Sequence, residues 1–246
     1  MGQLDGKICL ITGAGRGIGA AAASRFSAEG AIVYAAGRNV DVISAWSTED
    51  SYGRQIIPTL LDVRDPMMIK QVLMHIKKEQ GKLDVLVNNA AIEKNERIGM
   101  ISRQSMHDMF ETNVYGVIEL LQLAARIMQR GSGGSIINVA SRVGERGNAG
   151  QLVYSATKGA VISITRSAAK ELTASGVRVN AVSPGLTDTE MFRSVSQDKL
   201  EERLSTICAG RPAKPEEIAD AMVFLASDRS AFISGQIINV DGCTII

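Results

Sequence analysis

The chain has 246 residues, 45% of them hydrophobic and 22% charged, with only 5 prolines. This composition is typical of a globular protein with a large core and excludes a disordered chain. The 27 basic and 26 acidic residues nearly cancel, which argues against a nucleic-acid-binding surface. No apolar run approaches the roughly 18 residues of a membrane span, and the N-terminal residues lack the pattern of a secretory signal. We therefore expect a soluble cytoplasmic protein with no nucleic-acid or membrane partner.

Short apolar runs rich in β-branched residues indicate about seven buried strands, at residues 7–11, 32–36, 56–61, 85–87, 136–139, 177–182 and 236–240. Helical patterns lie between them, at residues 18–29, 66–80, 102–130, 153–173 and 216–226. The connections are too long for hairpins, so right-handed crossovers should give a parallel sheet. We predict one α/β domain over residues 1–246, a Rossmann-type doubly wound sheet with helices on both faces.

One segment, residues 187–213, is polar, charged and weakly periodic. Loops of this length are usually functional or disordered. Two interpretations stay open: a mobile lid over the substrate, or a plain surface excursion.

The first predicted strand runs into the sequence TGAGRGIG at residues 12–19, and an alanine-rich helix follows. Glycines let the backbone approach a pyrophosphate, and a helix N-terminus supplies unpaired N–H groups and partial positive charge. A packing turn without a ligand is the alternative, but the strand before and the helix after favour dinucleotide binding. The predicted contacts are Thr12, Gly13, Gly15, Arg16, Gly17, Ile18 and Gly19.

The end of the second strand indicates which dinucleotide is bound. Folds that prefer NAD commonly place a carboxylate there for the ribose 2′-hydroxyl, whereas residues 35–39 read AAGRN. Arg38 and Arg16 could instead bind a 2′-phosphate. We therefore predict NADP rather than NAD, with solvated surface arginines as the alternative.

Further motifs lie along the whole chain: LDV at residues 61–63, VNNAA at 87–91, TNVYG at 112–116, NVAS at 138–141, YSATK at 154–158 and PGLTDT at 184–189. Together they resemble the short-chain dehydrogenase/reductase family, with Ala91 where that family has glycine. The resemblance implies a catalytic tetrad of Asn113, Ser141, Tyr154 and Lys158. It also implies cofactor contacts from Asp62, Val63, Asn89, Ala90, Tyr154, Lys158, Pro184, Gly185, Thr187 and Thr189.

The chemistry requires these residue types independently of the resemblance. Tyr154 and Lys158 are four residues apart and share one helix face, and Ser141 follows a neighbouring strand. A free tyrosine titrates near pH ~10, so a nearby cation should favour its phenolate near neutrality. We expect Tyr154 to exchange the proton, Ser141 to bind the substrate oxygen and Lys158 to hold the ribose. By resemblance, Asn113 lies mid-helix and holds a water that links Lys158 to solvent.

No residue pattern indicates a metal or a disulfide. Cys9, Cys208 and Cys243 are odd in number and widely spaced, which favours reduced, incidental thiols. His75 and His107 lie in polar helical stretches, as surface histidines do, so we predict no catalytic metal. The predicted helix at 102–130 is apolar on more than one face, and the resemblance implies that it and the next helix form a homodimer interface within a homotetramer.

We predict an NADP(H)-dependent oxidoreductase that interconverts a ketone and a secondary alcohol, acting on CH–OH groups. Residues 144–154 and Arg211-Pro212 are similar to the 3-oxoacyl-acyl-carrier-protein reductases of the family. The alternatives are a sugar, polyol or other small polar alcohol dehydrogenase, or a nucleotide-binding sensor without catalysis.

The substrate is the least determined feature. Charges around the expected mouth, at Glu93, Lys94, Arg142, Glu145 and Arg146, favour a compact polar ketone or a free 3-oxoacyl group. Carrier-protein reductases of the family place docking arginines just before the fifth and sixth strands. Here residues 131–135 and 173–176 lack them, and Arg130 and Arg178 are nearby but displaced. An acyl-carrier-protein partner is therefore weakened without being excluded.

Overall fold

The computed structural model describes residues 2–47, 55–189 and 204–245. Their strands are β1 Ile8–Thr12, β2 Ile32–Gly37, β3 Ile56–Leu60, β4 Val85–Asn88, β5 Gly134–Val139, β6 Val177–Pro184 and β7 Ile237–Val240. They form one sheet in the order β3-β2-β1-β4-β5-β6-β7, and every neighbouring pair is parallel. The predicted doubly wound sheet is confirmed.

The helices are α1 Gly17–Ala28, α2 Val40–Ser47, α3 Pro66–Gln80, α4 Arg103–Phe110, α5 Gly116–Gln129, α6 Arg142–Arg146, α7 Leu152–Leu172 and α8 Pro215–Ala226. Helices α2 and α6 were absent from the prediction, because eight and five residues show little periodicity. The single helix predicted at 102–130 is interrupted by a π-helical turn, Glu111–Tyr115, between α4 and α5.

The sheet separates two hydrophobic layers. On one face Cys9 and Ile11 of β1 pack with α1, α2 and α8, for example against Phe26. On the other face Ile8 and Leu10 pack with α3, α5 and α7. Strand β1 is thus buried on both faces, which explains why its sequence is a continuous apolar run rather than an alternation.

The strand order reverses beside β1, which pairs with β2 on one side and β4 on the other. In open parallel sheets the ligand crevice lies at the carboxyl ends of the strands at such a reversal. Each predicted cofactor residue up to Ala90 lies in or just after β1, β2, β3 or β4. The topology therefore assembles them along one edge of the sheet.

The segment at 187–213 is only partly described, because residues 190–203 lie outside the described ranges. Its two ends are close together: Thr187 and Ala213 form a parallel bridge, and the Asp188 N–H donates to the Ala213 carbonyl at 2.8 Å. Whether the segment acts as a lid stays a prediction. Within the described ranges, no helix combines the length and the apolar character needed to cross a membrane.

Candidate active site

The glycine-rich turn joins β1 to α1 through contacts that only glycine allows. A Cβ on Gly19 would lie 2.2 Å from the Gly13 carbonyl oxygen, so any side chain there would force α1 away from β1. Gly15 has the opposite surroundings, since a Cβ on it would meet only a Val42 methyl at 3.8 Å. The backbone at Gly15 therefore borders open space, as a bound ligand requires.

The N-terminus of α1 has the features of an anion site. No side chain caps it, and its first turn contains no acidic residue, so its terminal N–H groups carry their full partial positive charge. Arg16 occupies the N-cap position and is exposed. Thr189 lies over the turn, with its methyl 3.3 Å from where a Gly17 Cβ would be. These residues fit a dinucleotide pyrophosphate.

Thr12 and Asn89 join the ends of β1 and β4. The Thr12 hydroxyl accepts from the backbone N–H groups of Asn89 and Ala90 at 3.0 and 3.1 Å. The Asn89 side-chain amide donates to the carbonyls of Thr12 and Gly13 at 2.9 and 3.1 Å. These four hydrogen bonds fix the backbone between the ends of β1 and β4, at the base of the crevice.

Ala91, which replaces the family's glycine, is exposed and adopts a negative φ, so its extra methyl leaves the turn intact.

The region after β2 and β3 carries opposite charges. Arg38 is exposed directly after β2, and the adjacent Asn39 side chain accepts from the N–H of Asp41 at 3.0 Å at the start of α2. Asp62 is bound by Arg64, with Nη2 2.5 Å from Oδ2, and this hydrogen bond lowers the pKa of Asp62. The Asp62 carboxylate after β3 is therefore already paired with the Arg64 guanidinium. Val63 is buried and contacts α5 at Gly116.

Ser141 and Tyr154 form the chemical pair at the centre of the site. Ser141 lies two residues after β5, at the N-cap of α6, but its side chain does not cap that helix. It lies instead near the Tyr154 side chain, where its hydroxyl lowers the pKa of the phenol. Burial raises the pKa of Tyr154 above its ordinary value, Glu93 raises it further, and the Ser141 hydroxyl opposes both. The phenol is therefore held neutral, as a proton donor must be.

Lys158 lies one turn after Tyr154 on α7 and is buried. Its Nζ donates to the Val139 carbonyl at 2.7 Å and lies 5.8 Å from the centroid of the Tyr154 ring. Burial lowers the pKa of Lys158 to about 8, partly offset by Glu93. The prediction that Lys158 would lower the pKa of Tyr154 is not met in the protein alone, because desolvation of the phenol dominates.

Asn113 lies in the π-helical turn and is fully buried. Its side chain accepts from the Ile92 N–H at 2.8 Å and donates to the Ile92 carbonyl at 2.8 Å. It also donates to the Thr157 hydroxyl at 3.1 Å, and Thr157 donates to the Tyr154 carbonyl at 2.8 Å. Asn113 therefore connects the loop after β4 with the helix that carries Tyr154 and Lys158. Its proposed water stays a prediction.

Close packing holds α6 against α7 beside the chemical pair. A Cβ on Gly144 would lie 2.7 Å from the Lys158 carbonyl carbon, so only glycine permits this approach.

The end of β6 brings Pro184 and Gly185 to the site, and a Cβ on Gly185 would meet Asp241 at 2.8 Å. Thr187 donates from its hydroxyl to the Gly185 carbonyl at 3.2 Å. The predicted cofactor contacts Pro184, Gly185 and Thr187 thus lie next to the end of β7.

A buried charge network behind Ser141 was not anticipated from the sequence. Arg142 forms ion pairs with Glu145 at 2.5 Å and Asp241 at 2.7 Å, and Glu145 accepts from the Ser183 hydroxyl at 3.0 Å. The sequence placed Arg142 and Glu145 among the charges at the mouth of the site, but Arg142 is buried. Its charge is compensated by Glu145 of α6 and by Asp241 directly after β7.

Two other mouth charges are also paired. Glu93 accepts from the Gln151 amide in a very short hydrogen bond, and Lys94 lies 3.0 Å from Asp108. Glu93 raises the pKa of Tyr154, and its partner Gln151 lies in the stretch 144–154, in which the sequence analysis gave it no role of its own. His75 and His107 are exposed, and His107 lies 3.5 Å from Glu111. Residues 2–47, 55–189 and 204–245 contain no group of three or more His, Cys, Asp and Glu that could hold a metal.

Comparisons with known proteins agree with this geometry. A family model described as enoyl-(acyl carrier protein) reductase matches residues 13–243. The chain is 39% identical over 245 residues to the 3-oxoacyl-(acyl-carrier-protein) reductase FabG of Thermotoga maritima, covering 99% of this chain and 100% of that protein. It is 38% identical over 240 residues to the protein of that name from Escherichia coli, and 35% over 243 residues to that of Chlamydia trachomatis, with 98% of each chain covered in both.

Proposed function

The chain belongs to the short-chain dehydrogenase/reductase family, and we propose that it reduces 3-oxoacyl thioesters to 3-hydroxyacyl thioesters with NADPH. It is an oxidoreductase that interconverts a ketone and a secondary alcohol with a nicotinamide cofactor. The observation that carries the proposal is the convergence of Ser141, Tyr154 and the buried Lys158, whose Nζ lies 5.8 Å from the centroid of the Tyr154 ring.

The cofactor supplies the hydride, and the protein supplies the proton. Tyr154, held neutral by burial, donates from its hydroxyl to the substrate oxygen as charge develops there. The Ser141 hydroxyl donates a second hydrogen bond to that oxygen. Lys158, with a pKa of about 8, is mostly protonated at neutral pH and stabilises the phenolate left on Tyr154. These three groups can therefore supply the proton and stabilise the charge that develops when the bound cofactor delivers its hydride.

The preference for NADPH rests on charge at the end of β2. Arg16 is exposed at the uncapped N-terminus of α1, and Arg38 is exposed directly after β2; a 2′-phosphate needs such cations. The nearest carboxylate after β3, Asp62, is already bound by Arg64 and is poorly placed to bind a ribose hydroxyl instead. These surroundings support NADP over NAD.

The assignment of a 3-oxoacyl substrate is supported by two mouth charges that are already paired within the protein. Lys94 is paired with Asp108, and Arg142 is buried in its own network. An ionised ketone that used Lys94 or Arg142 would have to displace one of these partners, whereas Arg146 is exposed; the polar-ketone prediction therefore loses part of its support. The names of the relatives favour a 3-oxoacyl group, which needs only the central proton donor and an apolar path.

The arginines that could dock an acyl-carrier protein show whether the acyl group must be presented on that carrier. Arg178, one of the displaced candidates for docking an acidic carrier, donates to the carbonyls of Leu225 at 2.9 Å and Ser227 at 3.3 Å. This side chain closes the C-terminal end of α8 and is unavailable for docking without a cost in stability. Arg130 remains exposed at the end of α5. We infer that acyl-carrier protein is accepted without a large preference.

The test compares NADPH-linked reduction of acetoacetyl groups on acyl-carrier protein, on coenzyme A and on a small thioester, beside keto-sugars and diketones. The proposal expects all three thioesters to be reduced, with kcat/KM values within about tenfold of one another, and the keto-sugars to be poor substrates. A carrier-protein preference of several orders of magnitude would contradict the inference about docking. Cofactor binding with no turnover on any ketone would favour the sensor alternative.

We propose a homo-oligomer, of which the tetramer is the form that the family resemblance implies. Helices α5 and α7 border a surface groove that includes Leu121, Ala125, Ile164 and Leu172, and Phe232 before β7 is fully exposed. Exposed apolar side chains of this size often mark subunit interfaces. Light scattering coupled to size-exclusion chromatography gives the subunit number, and a monomer at micromolar concentration would contradict the proposal.

A further inference from the structure

Two cysteines far apart in the sequence meet at the protein surface. The side chains of Cys208 and Cys243 are near enough to interact with each other, and both residues are exposed. Cys208 lies in the segment before α8, and Cys243 lies in the turn after β7. The wide spacing of the cysteines had indicated incidental thiols, and the fold alone brings these two together.

Backbone pairing, and not only side-chain placement, fixes the contact. Ile207 and Thr244 form an antiparallel bridge, and the N–H of Cys208 donates to the carbonyl of Cys243 at 3.3 Å. The N–H of Ile245 donates to the Thr206 carbonyl at 2.8 Å. Cys208 and Cys243 are therefore opposite each other in a short two-stranded ladder. Opposed residues of this kind have Cα atoms about 5.5 Å apart, within the range of disulfides.

The turn that presents Cys243 has an unusual backbone conformation. Cys243 has φ +58°, the left-handed region, and among the described residues it is the single non-glycine residue with positive φ. Its N–H donates to the Asp241 carboxylate at 3.1 Å, while Gly242 before it has φ +59°. This conformation is strained for a residue with a Cβ. The neighbouring ladder and the Asp241 hydrogen bond hold the thiol in this orientation.

We propose that Cys208 and Cys243 form a reversible intramolecular disulfide when the protein meets a peroxide. One thiolate attacks a peroxide oxygen, so that an S–O bond forms, the O–O bond breaks and hydroxide leaves. The second thiol then attacks the sulfenic sulfur, an S–S bond forms, the S–O bond breaks and water leaves. Two thiols are oxidised and one hydrogen peroxide is reduced to two waters. A dithiol reductant reverses the reaction.

The bond would join two segments that both border the candidate active site. Asp241, two residues before Cys243, is ion-paired with Arg142 next to Ser141. On the other side, Ala213 pairs with Leu186 and Asp188, which follow β6. Oxidation therefore locks the segment at 206–209 onto the C-terminal turn. Slower exchange of its backbone amides with solvent is the expected physical effect.

The experiment treats the purified full chain with hydrogen peroxide and maps cysteine peptides by mass spectrometry under non-reducing conditions. The expected result is a peptide pair linked through Cys208 and Cys243, a monomer on a denaturing non-reducing gel, and return to three thiols after dithiothreitol. Amide exchange at residues 206–209 should slow on oxidation and recover on reduction. Cys9 is an internal control, because burial raises the pKa of its thiol and it should stay reduced.

Three variants separate this site from general thiol oxidation. Cys208→Ser and Cys243→Ser should each abolish the linked peptide, whereas Cys9→Ser should retain it, with circular dichroism as the check on folding. The proposal is overturned by crosslinks between subunits in place of the intramolecular bond. It is also overturned if wild type accumulates only sulfinic acids at single cysteines, or keeps its thiols under peroxide that oxidises free glutathione.

Discussion

The guanidinium Nε of Arg142 lies 2.7 Å from the Asp241 carboxylate, and the two side chains are only 10% and 12% exposed. This ion pair ties the residue after Ser141 to the end of β7. Removing one partner of a pair this buried leaves a charge with poor solvation. The pair therefore stabilises the position of Ser141 from across the cleft.

We expect Asp241→Asn to lower the free energy of unfolding by an amount on the order of 2 kcal/mol, since Arg142 keeps Glu145 as one partner. Urea unfolding measures the loss. Asp220→Asn is the matched control, because it breaks the Arg25–Asp220 pair, whose side chains are 48% and 52% exposed. Exposed pairs contribute less than about 1 kcal/mol. Equal losses in the two variants would show that burial of the Arg142 pair is unimportant.

Tyr154→Phe should reduce kcat for ketone reduction by about 100-fold or more, because the proton donor is removed while the ring still fills its place. NADPH affinity and melting temperature should stay close to wild type. Tyr115→Phe is the control, since Tyr115 is 51% exposed and outside the chemical pair. Turnover near wild type in the Tyr154 variant would remove that residue from the proposed mechanism.

Arg38→Asp should shift the ratio of kcat/KM for NADPH over NADH toward NADH by at least about tenfold. The substitution removes a cation that a 2′-phosphate needs and supplies a carboxylate for a ribose hydroxyl. The control is Arg229→Asp. Arg229 is exposed and follows Asp228, which pairs with Lys7 at the amino end of β1, opposite the end that carries the cofactor residues. A wild-type enzyme that already prefers NADH would contradict the role given to Arg38.

Lys158→Met should change protein stability in a way that depends on pH. The pKa of Lys158 is lowered to about 8 from an ordinary 10.5, so the unfolded chain binds the proton more tightly than the folded chain. Below pH 8 both states are protonated, and the buried charge costs the wild type ~3 kcal/mol at ~1.4 kcal/mol per pKa unit. Between pH 8 and 10.5 this cost fades as pH rises.

The difference in unfolding free energy, variant minus wild type, should therefore be most positive at pH 7 and fall by pH 10. Urea titrations at the two pH values measure it. Lys170→Met on the same helix is exposed and should show no such change. A difference that is constant from pH 7 to pH 10 would mean that Lys158 titrates normally.

The sequence was sufficient for the sheet because its signals are local. Strand β1 is apolar throughout, and the spacing of Tyr154 and Lys158 already places them on one helix face. The pairing of Arg142 with Asp241 could not be foreseen, because Asp241 is distant along the chain and only the assembled sheet brings it near. The pKa of Tyr154 was misjudged for a related reason: a charge pair can be inferred from spacing, but desolvation depends on the finished fold.

Formation of the cofactor crevice requires the chain to close a long loop. Cys9 of β1 pairs with Val85 of β4, although the strands between them in sequence, β2 and β3, lie on the other side of β1. Closing such a loop costs entropy before any pairing compensates it, and contacts of this range slow folding. Thr12 and Asn89 meet only when this step is complete. A dinucleotide therefore cannot guide the early collapse of the chain, and its binding energy stabilises only chains in which both halves of the sheet have already joined.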